Sequence, residues 1–188
     1  MKIHLIRHGK TVANERRLYC GQTDLTLTDV GRSELLLLKN QGIYPPNADL
    51  YFTSGLLRTE ETLELLYGNV KRQSLPMLRE LDFGSFELRC YEELENNPDY
   101  QAWITDKTDL VRTPGGENKK DFLERVITEY NNLANGQGSK LVICHGGVIA
   151  CIMEFLFPDR KNFYEWQPKP GRGYTIMYSQ NMPHYKNI

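Results

Sequence analysis

Two apolar segments of the sequence end in the same way, on a histidine that is followed by a glycine. Residues 2–7 read KIHLIR and lead into His8, and residues 140–144 read KLVIC and lead into His145. Short runs rich in Ile, Leu and Val, bounded by glycine, predict buried strands. Ligands bind at the carboxyl ends of the strands in parallel sheets, so both histidines are predicted to face the same site.

The segments between these strands alternate in periodicity. We predict further strands at 48–54, 70–75 and 173–180, and helices at about 29–40, 56–68, 117–136 and 148–157. We predict Thr28 as the N-cap and Gly42 as the stop of the first of these helices. This order predicts an α/β fold, a three-layer α/β/α sandwich with a mainly parallel central sheet.

We expect one domain over residues 1–188, because a chain of this length forms a single core most simply. Residues 77–116 contain Pro98, Pro114 and scattered aromatic residues without a clear period. We interpret them as an irregular insertion over the active site.

The charge balance argues against several classes of partner. The formal net charge is −1, so no overall basic field attracts nucleic acid or a membrane surface. The apolar runs are far shorter than the roughly 20 residues of a membrane-spanning helix, and the N-terminus lacks the pattern of a signal peptide. These features predict a cytoplasmic protein. The four cysteines show no CxxC pair, so we expect no metal site.

The residues around the first histidine suit an anionic ligand. Arg7 offers a planar fork of donors, His8 a nitrogen nucleophile, and Gly9 a backbone that a ligand can approach closely. A lone histidine at a strand end is as often structural as functional. The three residues together are the parts needed to hold and attack a tetrahedral anion.

The segment LIRHGKTVANERRLYCGQTDLTLTDVGR resembles the opening of the histidine phosphatase superfamily, also called the phosphoglycerate mutase-like family. Four further segments match in family order: TSGLLRTEET, LRELDFGSFE, PGGEN and VICHGG. Together they reach from residue 3 to about residue 150. The resemblance implies a phosphoglycerate mutase-like fold.

The resemblance also implies the site residues. It makes His8 the nucleophile that forms a phosphohistidine and Glu80 the acid that protonates the leaving oxygen, with no metal or other cofactor. The implied catalytic set is Arg7, His8, Arg58, Glu80 and His145. The implied substrate-binding set is Arg7, Asn14, Cys20, Gly21, Arg58 and Gly146. Arginine forks suit a phosphoryl group, which carries about two negative charges.

Several assignments stay open at this level. Lys10 stands where the family usually has Glu or Gln. It is either a solvent-facing lysine, which we favour, or a cation that lowers the pKa of His8. Glu117 either caps the helix that follows it, which we favour, or supports the site. Six aromatic residues either line a substrate pocket or pack the insertion's own core: Tyr19, Phe83, Phe86, Tyr91, Tyr100 and Trp103.

Three functions follow in order of preference. The first is a phosphatase acting on a small phosphorylated metabolite, because the layout is most similar to the small bacterial phosphatases, including the α-ribazole-5′-phosphate phosphatases of cobalamin biosynthesis. The second is phosphoryl transfer of the cofactor-dependent phosphoglycerate mutase type. The third is a non-catalytic phosphate-binding scaffold. The expected partner is a small-molecule phosphomonoester, and a homodimer is left open.

Overall fold

The central feature of the fold is a mixed sheet. A computed structural model describes residues 1–180 and 182–188, and these form a six-stranded sheet. The strands are β1 (Lys2–Arg7), β2 (Leu50–Thr53), β3 (Arg72–Ser74), β4 (Ser139–Cys144), β5 (Gly173–Ser179) and β6 (Met182–Asn187). Their order is β3-β2-β4-β1-β5-β6; the first four are parallel, and β5 and β6 are antiparallel. The predicted mainly parallel sheet is confirmed.

The helices of the described residues are α1 (Val12–Arg16), α2 (Asp29–Asn40), α3 (Leu57–Tyr67), α4 (Tyr91–Leu94), α5 (Pro98–Ile104), α6 (Lys119–Ala134), α7 (Gly146–Leu156) and α8 (Phe163–Trp166). The four long helices were predicted, and Thr28 caps α2 by accepting a hydrogen bond from the Gly31 amide at 3.0 Å. Helices α1, α4, α5 and α8 and strand β6 were not predicted from the sequence. These helices have four to seven residues, too few for a clear period, and β6 is largely exposed.

The sheet buries both of its faces. In β1, the side chains of Ile3 and Leu5 belong to a core cluster that includes Val126 of α6 and Val148 of α7. The side chain of Ile6 points to the other face and packs in a cluster with Leu63 of α3. Successive side chains of a strand point to opposite faces. Since both sets of β1 side chains pack against helices, helices cover both sides of the sheet. The predicted three-layer sandwich is confirmed.

Residues 77–116 form short elements above the carboxyl ends of the strands. They contain α4, α5 and a 3₁₀ turn at Gly84–Phe86, and they begin within a 3₁₀ turn at Pro76–Leu78. The Tyr19 hydroxyl lies 2.6 Å from the Tyr100 hydroxyl, which ties the chain after α1 to α5. The interpretation of these residues as an insertion within a single domain stays a prediction.

None of the helices in the described parts of the chain combines the length and apolarity needed to span a bilayer.

We predict that acid destabilises the fold through His4 of β1. This side chain is buried, and its Nδ1 lies 2.9 Å from the Thr175 hydroxyl of β5. Burial, together with Lys186 and Lys2, lowers the pKa of His4 from 6.5 to about 4. Between these two values only the unfolded chain takes up the proton, so the free energy of unfolding falls as the pH drops from 6.5 towards 4, by roughly 2 kcal/mol.

Urea unfolding of wild type and His4→Gln across this range measures the effect. The variant cannot titrate at this position, so its free energy of unfolding should fall less steeply with acid. His184→Gln, an exposed substitution on β6, is the matched control. Equal slopes for wild type and His4→Gln would contradict the prediction.

Candidate active site

The two histidines lie side by side at the carboxyl end of the sheet. Strands β1 and β4 are neighbours in register, with Arg7 opposite Cys144. The His8 amide donates to the Cys144 carbonyl at 3.0 Å, and the His8 and His145 ring centroids are 5.2 Å apart. The structure therefore brings together the two residues that the repeated strand–histidine–glycine pattern placed at equivalent positions.

The hydrogen bonds of His8 decide which ring nitrogen is free. Its Nδ1 lies 2.7 Å from the Gly9 carbonyl, which only accepts, so Nδ1 carries the proton. Burial, then the charges of Arg58 and Arg7, lower the pKa of His8 well below 6.5. The ring is consequently neutral at pH 7, and Nε2 holds a lone pair available for attack.

His145 is fully buried behind His8, and its Nε2 lies 2.8 Å from the Ser54 hydroxyl at the end of β2. Its Nδ1 is buried and has no partner among the described residues. Burial, together with Arg58, His8 and Arg7, lowers its pKa, so the ring is neutral. If Ser54 donates to Nε2, the proton lies on Nδ1, which can then donate to an oxyanion.

Two guanidinium groups flank His8, the buried Arg58 and the half-buried Arg7. Arg58 of α3 is 1% exposed and donates to the Thr23 and Gly21 carbonyls at 2.8 and 2.7 Å. Arg7 donates to the Pro168 carbonyl at 2.8 Å, while its Nε is buried without a partner among the described residues. Burial lowers the pKa of both arginines, although a guanidinium group still stays charged. Two cations held in this way have the chemistry to bind a multiply charged anion.

Glu80 is held at the start of α7. The Gly147 amide donates to Glu80 Oε2 at 2.8 Å, and the Leu81 amide donates to Oε1 at 3.1 Å. A Cβ atom on residue 147 would overlap the carboxylate. A Cβ on Gly146 would lie 3.0 Å from the Arg7 guanidinium carbon. The paired glycines of HGG therefore leave room for both groups; the sequence analysis chose only Gly146.

The predicted substrate-binding residues divide into two groups. Asn14 and Cys20 line the cavity above His8. Asn14 Oδ1 accepts from the Thr11 amide at 2.9 Å, which leaves its amide nitrogen available to a ligand. Gly21 and Gly146 are not among the lining residues. The Gly21 amide donates to Glu87 at 2.9 Å and its carbonyl accepts from Arg58, so Gly21 positions the arginine.

Glu87 is a structural residue of the site that the sequence analysis missed. Its carboxylate accepts from the amides of Gly21, Gln22 and Thr23 at 2.9–3.2 Å and from the Thr23 hydroxyl at 2.7 Å. It thus fixes the loop whose carbonyls hold Arg58. Glu87 ends the FGSFE segment, but nothing local in the sequence distinguishes it from other glutamates.

The structure decides between the alternatives that the sequence left open for Lys10 and Glu117. Lys10 pairs with Glu34 of α2 at 2.6 Å, and the charges that lower the pKa of His8 belong to Arg58 and Arg7. The favoured interpretation of Lys10 as a solvent-facing lysine agrees with this, since its side chain is 35% exposed. The favoured role of Glu117 was wrong: Asn118 caps α6 by accepting from the Asp121 amide, and Glu117 pairs with Arg125.

The site opens into a cavity of about 600 Å³. Its floor is polar and includes Arg7, His8, Arg58 and Glu80. Its wall is mostly apolar: Leu18, Tyr19, Leu81, Phe83, Trp103, Ile104, Phe122, Leu123, Phe163 and Tyr164. Of the six aromatic residues left open, Tyr19, Phe83 and Trp103 line the cavity. Phe86 and Tyr100 are buried in the core, and Tyr91 is exposed against Tyr100.

Comparisons with known proteins agree with this geometry. The family model described as "Histidine phosphatase superfamily (branch 1)" matches residues 3–187. The adenosylcobalamin/alpha-ribazole phosphatase of Salmonella typhimurium is 32% identical over 160 residues, which cover 81% of this chain and 78% of that protein. The 2,3-bisphosphoglycerate-dependent phosphoglycerate mutase of Methylocella silvestris is 32% identical over 167 residues, with 81% and 79% covered.

Among solved structures, the alpha-ribazole phosphatase from Shigella flexneri superimposes with a TM-score of 0.84 at 26% identity. The alignment covers 99% of this chain and 95% of that one. The expected phosphoglycerate mutase-like fold is confirmed by this similarity.

Proposed function

The chain belongs to branch 1 of the histidine phosphatase superfamily and is a phosphatase, and we propose that it hydrolyses a small phosphomonoester through a phosphohistidine on His8. His8 Nε2 attacks phosphorus, the bond from phosphorus to the ester oxygen breaks, and Glu80 delivers its proton to that oxygen. Water then attacks the phosphohistidine and returns a proton to Glu80. The phosphorus–nitrogen bond breaks, and inorganic phosphate leaves.

The observation that carries this proposal is a pair of buried nitrogen atoms that lack hydrogen-bond partners beside a neutral nucleophile. Arg7 Nε and His145 Nδ1 are buried without partners among the described residues, and a buried polar group without a partner is costly. A phosphoryl group between Arg7, Arg58 and His145 would satisfy them and spread its charge over three donors. The same assembly of groups argues against a non-catalytic scaffold.

For the substrate, we infer a phosphomonoester with a flat, largely apolar leaving group. Tyr19, Phe83 and Trp103 form an aromatic wall beside the phosphate site, and aromatic faces favour stacking on planar rings. Because relatives are named alpha-ribazole phosphatase, α-ribazole-5′-phosphate is the first candidate substrate, and cobalamin biosynthesis the first candidate pathway. A cytoplasmic location and the oligomeric state stay predictions.

Phosphoglycerate mutase activity is the second candidate, because relatives carry that name. Phosphoglycerate is small and densely charged, and a site for it needs several cations around the phosphate site. Beyond Arg7 and Arg58, Lys119 is the one cationic side chain among the described residues that line this cavity, and it already lies near Asp109 at 4.0 Å. The apolar wall therefore favours hydrolysis of an apolar ester.

A substrate panel tests the proposal. We expect kcat/KM for α-ribazole-5′-phosphate and p-nitrophenyl phosphate to exceed that for 3-phosphoglycerate by at least about tenfold, since apolar contacts contribute roughly 1–3 kcal/mol. Phosphate release and, with 2,3-bisphosphoglycerate present, interconversion of 3- and 2-phosphoglycerate are measured on one preparation. Efficient interconversion without hydrolysis would show that the protein is a mutase and not a phosphatase. Inactivity on the whole panel would favour a non-catalytic scaffold.

A further inference from the structure

Glu80 lies outside the strands and helices of the fold. It follows the 3₁₀ turn at Pro76–Leu78 and belongs to an irregular stretch that ends at the 3₁₀ turn beginning with Gly84. Among the described residues, its carboxylate receives two amide hydrogen bonds, from Leu81 and Gly147. An acid must be placed within hydrogen-bond reach of the ester oxygen, so something else has to fix this stretch.

Arg125 of α6 makes three of the contacts that fix it, and Gln22 Nε2 donates to the Glu80 carbonyl at 2.9 Å. Its Nη1 donates to the carbonyls of Met77 and Arg79 at 2.7 and 2.8 Å, and its Nη2 donates to the carbonyl of Glu80 at 3.0 Å. A guanidinium group carries its donors in one rigid plane, so three carbonyls bound to it are held in a fixed relation to each other and to α6.

Glu117 fixes the guanidinium group in turn. Arg125 Nε and Nη2 donate to its two carboxylate oxygens at 2.7 and 2.9 Å. The Arg125 and Glu117 side chains are only 16% and 15% exposed. The Glu117 amide also donates to the Asp82 carbonyl at 3.0 Å, which anchors the far end of the same stretch. The pair is bidentate and largely shielded from water, the geometry in which such a contact is rigid.

We propose that Arg125, oriented by Glu117, is a positioning residue that sets the reach of Glu80 to the leaving oxygen. This role rests on the proposed phosphatase mechanism. It differs from a purely structural role in one measurable respect: a misplaced acid slows esters whose leaving group needs a proton and spares those whose leaving group does not.

The test compares phenyl phosphate with p-nitrophenyl phosphate, two flat aryl esters that fit the same apolar wall. Phenol has a pKa of about 10, like the tyrosine side chain, so phenolate needs a proton as it leaves, whereas p-nitrophenolate is a stable anion. For Arg125→Met we expect kcat/KM to fall about 10- to 100-fold on phenyl phosphate and less than about 3-fold on p-nitrophenyl phosphate. This ratio reports the step in which the ester bond breaks.

Three variants complete the design. Arg125→Lys keeps a cation that can bind some of the carbonyls, so the selective loss should shrink. Arg112→Met is the matched control, because it also removes an arginine that pairs with an acidic residue, Asp121 of α6. The leaving-group preference of this variant should stay that of wild type. Glu80→Gln should show the same selective loss on phenyl phosphate. Because both residues act through the Glu80 carboxyl group, adding Arg125→Met to Glu80→Gln should lower kcat/KM much less than Arg125→Met lowers it in wild type.

The outcomes separate the two proposals. If wild type hydrolyses neither ester, the proposed function fails. If wild type hydrolyses both and Arg125→Met loses activity equally on both, the positioning role is overturned while the phosphatase stands. Should Arg125→Met not fold, Glu117→Gln carries the same test, because it weakens the orientation of Arg125 and retains a neutral acceptor; equal losses on the two esters would again overturn the role.

Discussion

Replacing His8 with alanine is expected to lower kcat/KM on every phosphomonoester by about 10⁴-fold or more, with the fold intact. The neutral ring offers its Nε2 lone pair, since Nδ1 is held by the Gly9 carbonyl at 2.7 Å. Steady-state kinetics and circular dichroism on the same samples measure the loss and the retained fold.

A rapid acid-free quench with a labelled substrate gives a second readout. Wild type should carry a phosphoryl group that is stable in base and labile in acid, as a phosphoramidate is, and His8→Ala should carry none. His184→Ala, on the exposed side of β6, is the control and should behave as wild type. A rate for His8→Ala within tenfold of wild type would remove His8 from the nucleophile role.

Replacing Arg58 with methionine should cost about 10³-fold in kcat/KM, because the transition state loses a charged donor in a site shielded from water. Arg58 is 1% exposed and held by the Thr23 and Gly21 carbonyls, and Arg7 is held by the Pro168 carbonyl, so the variant leaves the site with one guanidinium group instead of two. Methionine keeps much of the volume and removes the charge. The loss should appear with good and poor leaving groups alike, unlike the effect of Arg125→Met.

Inorganic phosphate provides an independent measure of this site. A ligand that binds only the folded state, at a concentration of about 100 times its Kd, stabilises that state by about 2.7 kcal/mol. For a chain of this size, this corresponds to a rise in Tm of about 5–10 °C. Arg58→Met should lose most of that rise. Arg32→Met, which removes a partly exposed arginine paired with Glu61 at 2.8 Å, is the control. An undiminished phosphate shift in Arg58→Met would place the anion elsewhere.

The regular elements could be predicted because their signals are local. Thr28 and the apolar spacing after it define α2, and the face of Phe122, Val126, Tyr130 and Leu133 defines α6. Helices α1 and α8 span one turn or little more, so they have no period to detect. Local patterns could not decide between Glu117 and Asn118 as the cap of α6, because both residue types can cap a helix. In the structure Asn118 caps it and Glu117 pairs with Arg125.

The contacts that position the site could not be predicted. Gly147 donates to Glu80, Ser54 contacts His145, and Arg125 binds the carbonyl of Glu80, each across at least 45 residues of sequence. Neither the 3.6-residue period of a helix nor the two-residue period of a strand carries information over such separations. These contacts depend on how β2, β4, α6 and α7 pack.

The sequence by itself determined which chemical groups this protein carries and the strand ends on which the two histidines stand, because residue type and short periods are local properties. Only the tertiary structure decided the chemical state of those groups. The neutral ring of His8 results from its burial beside Arg58 and Arg7, and its proton lies on Nδ1 because the Gly9 carbonyl accepts there. Burial and hydrogen-bond partners are set by chain segments distant in sequence, which meet only when the core has formed.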